Sequence, residues 1–150
     1  MAHLRFGIKT AQHHAEYTDM LRVWKEADQI EVLEHAWLFD HFAPIVGDID
    51  GPCLDGWTLL GAMAAETSRI RLGLMVTGNT YRHPAVLAKI ATTVDVISNG
   101  RLDFGVGAGW NEYEHESMGI PLDPPGKRLR RFEEACEMWK RLFTQPVTDF

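Results

Sequence analysis

Four times along this chain a short apolar run ends in a cluster of polar or glycine residues, and a helical pattern follows each time. The runs occupy residues 4–12, 36–41, 71–78 and 101–109. Strand-then-helix repetition implies parallel strands joined by crossovers, since parallel neighbours cannot be linked by a tight turn. In such folds ligands collect at the carboxyl ends of the strands. Gln12, Asp40, His41, Gly78, Asn79, Asn111 and Glu112 stand at those ends and are expected to face one mouth. That convergence reads as part of an enzyme.

The runs look hydrophobic on both parities, as in Leu72, Leu74, Met75 and Val76, which suits a parallel sheet covered on both faces. Four strand–helix units amount to half of a TIM-type (β/α)8 barrel, which takes ~250 residues. Residues 1–150 therefore read as one α/β unit, a half barrel of four βα units with no second domain. A half barrel leaves two sheet edges and an interior face uncovered. The chain is expected to be a truncated or partial protein, or to pair with its own kind as a homo-oligomer.

Hydrophobic content of 45% and charged content of 24% are ordinary for a soluble domain. With a net charge of −6 and no dense Lys/Arg stripe, nucleic acid is a poor partner. No apolar run approaches the ~20 residues of a membrane span, and the amino terminus lacks a signal-peptide layout. Cys53 and Cys136 lack metal-type spacing and read as reduced thiols in a cytoplasmic protein.

Helical periodicity predicts a first helix over 18–33, capped by Thr18, with Met20, Leu21, Trp24, Ala27, Ile30 and Val32 inward. A second is predicted over 55–67 with Asp55 capping. The third starts at His83-Pro84 and stops at Asn99-Gly100. The fourth follows Pro124-Pro125-Gly126, with Leu129, Phe132, Cys136, Trp139 and Phe143 as its apolar stripe. Residues 42–54, 79–82 and 110–124 read as loops.

Asp40-His41 is the strongest local signal. A carboxylate beside an imidazole at a strand end can bind a polar cofactor edge and supply a proton near neutral pH. The competing reading has Asp40 capping a turn and His41 bonded to a backbone carbonyl. Gly105-Val-Gly107-Ala-Gly109 is not a dinucleotide fingerprint, because Trp110 stands where the third glycine belongs. These glycines either let backbone approach a flat ligand or relieve crowding between tilted strands. Trp110 to His115 supplies an aromatic wall with donors and acceptors. Glu112, Glu114 and His115 match no established zinc spacing. Arg82 before a helix N-terminus could hold an anion, or could be a solvated rim residue. His13 and His14, after the first strand, either flank the mouth or face water, and water is the favoured reading.

Taken together, Phe39-Asp40-His41-Phe42, Thr77-Gly78-Asn79 with Arg82-His83-Pro84, and Ser98-Asn99-Gly100-Arg101-Leu102 leading to Gly105-x-Gly107-x-Gly109-Trp110-Asn111-Glu112 resemble one family. It is the bacterial luciferase-like flavin and deazaflavin oxidoreductases. The resemblance covers essentially the whole chain and implies a barrel whose mouth holds coenzyme F420 or FMN, used for hydride transfer or monooxygenation of a small organic substrate. The Asp-His pair and the Trp-Asn-Glu run look closer to the deazaflavin branch. By this resemblance Asp40 and His41 are the catalytic pair, Asp40 contacting the coenzyme and His41 acting near the reacting carbon. Met75, Val76, Gly78, Asn79, Gly107, Trp110 and Asn111 would border the ring. The family also implies a non-prolyl cis peptide in the third strand, placed by alignment at Met75-Val76. Its coenzyme phosphate is held largely from the second half of the barrel, which these residues do not include.

Overall fold

The computed structural model describes residues 4–150. In chain order the elements are β1 (Phe6–Lys9), α1 (Tyr17–Gln29), β2 (Leu33–Leu38), α2 (Gly56–Glu66), β3 (Arg71–Leu74) and β4 (Thr77–Gly78). There follow α3 (Pro84–Ser98), β5 (Leu102–Asp103), β6 (Val106–Gly107), α4 (Glu112–Met118) and α5 (Pro125–Thr144). β1, β2, β3 and β5 pair in that order, all parallel, and β4 pairs with β6, also parallel. The α/β architecture with a parallel sheet is the expected one.

Two of the four strand-like runs are broken. The third divides into β3 and β4 at Met75-Val76, whose peptide bond is cis, at the position the family resemblance implied. The fourth divides into β5 and β6. Beyond the breaks Thr77 N–H bonds to the Gly105 carbonyl and Asn79 N–H to that of Gly107, both at 2.9 Å, so the ladder resumes.

Only one face of the sheet is apolar. Ala36, Leu38, Leu72 and Leu74 point into a core shared with Met20 and Trp24 of α1, Leu60 and Met63 of α2, and Leu87 and Ala91 of α3. Alternation sends His35, Trp37, Arg71 and Asp103 the other way. There Trp37 donates to His35 at 2.8 Å and Arg71 pairs with Asp103 at 2.5 Å. The expectation of two apolar faces therefore fails, because Met75 and Val76 belong to the link beyond β3 and not to the strand.

The first helix also differs from its prediction. It begins at Tyr17 after Glu16, with no side-chain cap from Thr18, and it ends at Gln29. Ile30 and Val32 are exposed because they form the turn into β2. Asp55 caps α2 by accepting from Thr58 N–H at 2.8 Å, and α3 ends on a left-handed Asn99, both as expected. The helix α4 was not foreseen; it lies inside the predicted loop 110–124.

The amino end of the sheet is closed by polar bonds. Asp28, buried at the end of α1, accepts from the N–H groups of Ser68, Arg69 and Ile70 and from the Ser68 hydroxyl. Burial would raise its pKa, but those four donors prevail and hold it down at about 2. Arg101 donates to carbonyls of Ala64, Thr67, Ile70 and Ser98, tying α2 and α3 to the start of β3.

Candidate active site

β2 ends at Leu38, and the chain turns across the carboxyl end of the sheet through Phe39, Asp40 and His41. Buried Gln12 fixes that turn. Its amide nitrogen donates to the Phe39 carbonyl and its oxygen accepts from Phe39 N–H. Asp40 is 2% exposed. Its Oδ2 takes Arg82 Nη1 at 2.6 Å and Gly78 N–H at 3.2 Å, while Arg82 Nη2 reaches Asp55 at 3.2 Å. Oδ1 is buried without a partner. Burial pushes the Asp40 pKa up to about 6 against the opposing pull of Arg82 and the Gly78 N–H. Arg82 is thus neither a free anion ligand nor a solvated rim residue, because two carboxylates claim it.

His41 is held from below by a residue that the sequence presented only as an unconvincing metal ligand. The Glu114 carboxylate, fully buried, lies 2.9 Å through Oε2 and 3.1 Å through Oε1 from His41 Nδ1. Its Oε1 accepts from Phe42 N–H at 2.7 Å and Ala43 N–H at 3.0 Å, and its Oε2 accepts from the Tyr81 hydroxyl. Burial works to raise the Glu114 pKa; the bonds from His41, Tyr81 and Ala43 overcome it and keep the group below the usual range. Burial and the neighbouring Glu114 in turn push the Tyr81 phenol far up. An ionised Glu114 can only accept, so His41 Nδ1 is the donor of that pair.

The element that delivers Glu114 is α4. Asn111 caps it by accepting from Glu114 N–H at 3.3 Å, and the Asn111 carbonyl accepts from His115 Nδ1 at 2.5 Å. His115 Nε2 reaches Thr80 Oγ1 at 2.8 Å. Of the two buried side chains of α4, Glu114 is committed to the turn after β2 and to Tyr81, and His115 to Thr80 in the turn after β4. The cap spacing Asn111-x-x-Glu114 and the stop at Gly119 were the signals that could have revealed this helix.

One cavity of about 280 Å³ gathers Asp40, His41, Met75, Val76, Gly78, Gly107 and Trp110, together with Thr77, Tyr81, Ala108 and Gly109. Seven of the expected site residues thus share one hollow. Trp110 meets the His41 ring edge-on with centroids 5.7 Å apart. Two expected ring neighbours stand outside it. Asn79 lines an adjacent cavity with Arg82 and Arg131, its Oδ1 buried and unpartnered. Asn111 spends its side-chain oxygen on the α4 cap. Of the other residues expected at the mouth, Gln12 is a buried brace and Glu112 is exposed. His13, expected in water, instead packs against Phe39 and accepts from Ile45 N–H at 3.3 Å.

Residues 3–150 match the family described as luciferase-like monooxygenases. The chain belongs to that family. It is 33% identical over 99% of its length to 4-hydroxyprotoasukamycin monooxygenase of Streptomyces nodosus subsp. asukaensis, covering 40% of that protein. It is 31% identical over 79% of its length to F420-dependent glucose-6-phosphate dehydrogenase of Kineococcus radiotolerans, covering 35% of it. Among solved structures, monooxygenase RslO1 from Streptomyces bottropensis superimposes with a TM-score of 0.81 at 26% identity, over 98% of this chain and 45% of that one. The chain thus spans less than half the length of these luciferase-like relatives, which are oxidoreductases and monooxygenases.

The cavity's chemistry suits the flat, polar-edged ring system of a luciferase-like enzyme. A Cβ on Gly107 would come 2.8 Å from Val76 Cγ2, and one on Gly109, at φ +79°, would meet Thr80 Oγ1 at 2.4 Å. Glycine at both places lets this backbone pack closely against Val76 and Thr80, the second of the two readings the sequence offered. Asp40 Oδ1 is buried without a partner, and His41 lines the same cavity. At about 280 Å³ the hollow falls below the ~300–1,000 Å³ of complete ligand sites and suits a ring without its tail. No helix among the described residues is long and apolar enough to cross a membrane.

Proposed function

We propose that this chain forms the ring-binding and proton-transfer part of an oxidoreductase that uses coenzyme F420 to move a hydride to or from a small organic substrate. The observation that carries the reading is geometric: buried Asp40, whose Oδ1 has no partner, and His41, whose Nδ1 is anchored by Glu114, line one cavity. A buried carboxyl whose pKa is raised by its surroundings, lining a cavity beside an imidazole, is a mark of acid–base sites. The relationship to an F420-dependent dehydrogenase supports the choice of coenzyme.

In this site Met75, Val76, Gly78 and Gly107 form the surfaces that flank a ring, and Asp40 Oδ1 holds its polar edge. Trp110 covers the His41 side and keeps water from it. The deazaflavin, when bound, supplies the hydride chemistry. An alcohol that gives up hydride must also give up its hydroxyl proton, and His41 Nε2 takes that proton. In the reverse direction the protonated imidazole returns it to the carbonyl oxygen.

FMN-dependent monooxygenation is the second reading, favoured by the 33% identity to a monooxygenase along nearly the whole chain. Titration of the full-length protein with F420 and with FMN, followed by fluorescence, tests both. F420 binding with turnover of reduced F420 but not reduced FMN supports the first reading. The opposite preference supports the second, and binding of neither removes both.

A further inference from the structure

Beneath His41 lies a device that the proposed reaction does not by itself require. Glu114 divides its two oxygens unequally. Oε1 accepts from the backbone N–H groups of Phe42 and Ala43, at 2.7 and 3.0 Å, and stands 3.1 Å from His41 Nδ1; Oε2 is nearer to Nδ1, at 2.9 Å, and receives the Tyr81 hydroxyl. The backbone donors are fixed by the turn that follows Asp40, so the oxygen serving them cannot be exchanged for a donor. The second oxygen is the variable one, and it is the one that determines which imidazole nitrogen carries hydrogen.

We propose that Glu114, braced by Tyr81, is a positioning residue that locks His41 as the Nδ1–H tautomer, presenting Nε2 to the cavity as the proton-exchanging atom. This deepens the proposed function and rests on it only for the identity of the reaction, since the tautomer is a property of the protein alone. Among the described residues Glu114 is the acceptor of the Tyr81 hydroxyl, and the Tyr81 ring is wedged between Phe42 at 4.7 Å and His115 at 5.0 Å between centroids. Its hydroxyl therefore cannot swing away, and it occupies the lone pair of Oε2 that would otherwise let the carboxylate rotate. The depressed pKa of Glu114 keeps the pair accepting through neutral pH.

A sharp consequence concerns Glu114→Gln. The two backbone donors demand the amide oxygen at the Oε1 position, which puts the amide NH2 at the Oε2 position, opposite His41 Nδ1. The amide oxygen, 3.1 Å from Nδ1, is already shared by two backbone donors, so the nearer NH2 at the Oε2 position, 2.9 Å away, makes Nδ1 accept and moves the imidazole hydrogen to Nε2. The substitution keeps size and shape but inverts the tautomer, leaving Nε2 unable to take a proton. Tyr81→Phe keeps the ring packing and removes only the hydroxyl, so Glu114 remains an acceptor and the tautomer stays Nδ1–H.

The test is 15N NMR of histidine-labelled full-length protein without cofactor, at a pH where His41 is neutral, with His41 assigned by its disappearance in His41→Asn. The expected result is Nδ1–H in the parent protein and in Tyr81→Phe, and Nε2–H in Glu114→Gln. A parent protein in the Nε2–H form overturns the proposal even if Glu114→Gln does not fold, and so does a Glu114→Gln variant that retains Nδ1–H. With whichever cofactor the parent binds, Glu114→Gln should lower kcat about 100-fold or more while its cofactor Kd stays within about twofold. A parent that binds neither cofactor but shows the expected tautomers sinks the proposed function and leaves this inference standing.

Discussion

Asp40 and His41 are adjacent in sequence, yet the structure gives them opposite surroundings. Asp40 is sealed beneath Arg82 and Gly78, and both of its donors address Oδ2. A proton on this carboxyl must therefore sit on Oδ1, the atom that faces no protein group. Oδ1 is an acceptor above about pH 6 and a donor below it. Affinity for the bound ring should accordingly weaken as pH falls through about 6, while Asp40→Asn should show a flat profile; fluorescence titrations between about pH 5 and 8 read this directly. His41 contributes differently, because its Nδ1 is spoken for and only Nε2 can exchange a proton. His41→Asn should leave cofactor Kd within about twofold and lower kcat by roughly 10²–10⁴, the range general acid–base groups supply. A loss of binding equal to the loss of rate would instead make His41 a ligand contact.

At the scale of elements, the legibility of the sequence depended on whether burial coincided with apolarity. The strands, α2, α3 and the amphipathic stripe of α5 were readable because Leu60, Met63, Leu87, Ala91 and Trp139 are both apolar and buried. The position of the cis peptide was readable through family resemblance in the segment around Met75-Val76. Helix α4 escaped for the opposite reason: its buried residues are Glu114 and His115, while its apolar Tyr113 and Met118 are exposed. Hydrophobic periodicity cannot detect a helix whose inward face is polar, and only the cap at Asn111 and the stop at Gly119 marked it. Glu114 escaped with it, so the sequence exposed the pair Asp40-His41 without the residue that orients His41. Asn111→Ala should cost about 1 kcal/mol in denaturant unfolding, the usual price of a lost N-cap. Because α4 carries Glu114, turnover should fall further than that stability change explains, and the same NMR signal of His41 should broaden or split as its anchor loosens.

Across the whole molecule, folding and chemistry occupy opposite ends of one sheet. The amino end is fastened by Asp28, whose carboxylate collects four donors between α1 and the start of β3, and by Arg101, which ties α2 and α3 to the same place. The carboxyl end carries Asp40, His41 and Glu114. Asp28 has a folded pKa of about 2 against an ordinary 3.8, so its contribution is fully present above about pH 4 and is lost as pH falls through about 2. That difference corresponds to roughly 2 kcal/mol at neutral pH. Asp28→Asn should therefore lower unfolding free energy by about that amount at pH 7, with the gap from the parent narrowing between about pH 4 and 2. No shared partner connects Asp28 to the cavity, so cofactor affinity and turnover of the folded variant should be unchanged. Combined with His41→Asn, its stability cost should add to within ~0.5 kcal/mol, as distant sites do. A double variant that departs from additivity, or an Asp28→Asn protein with altered cofactor affinity, would mean that the two ends communicate through the strands and that the site's geometry depends on how the base of the sheet is fastened.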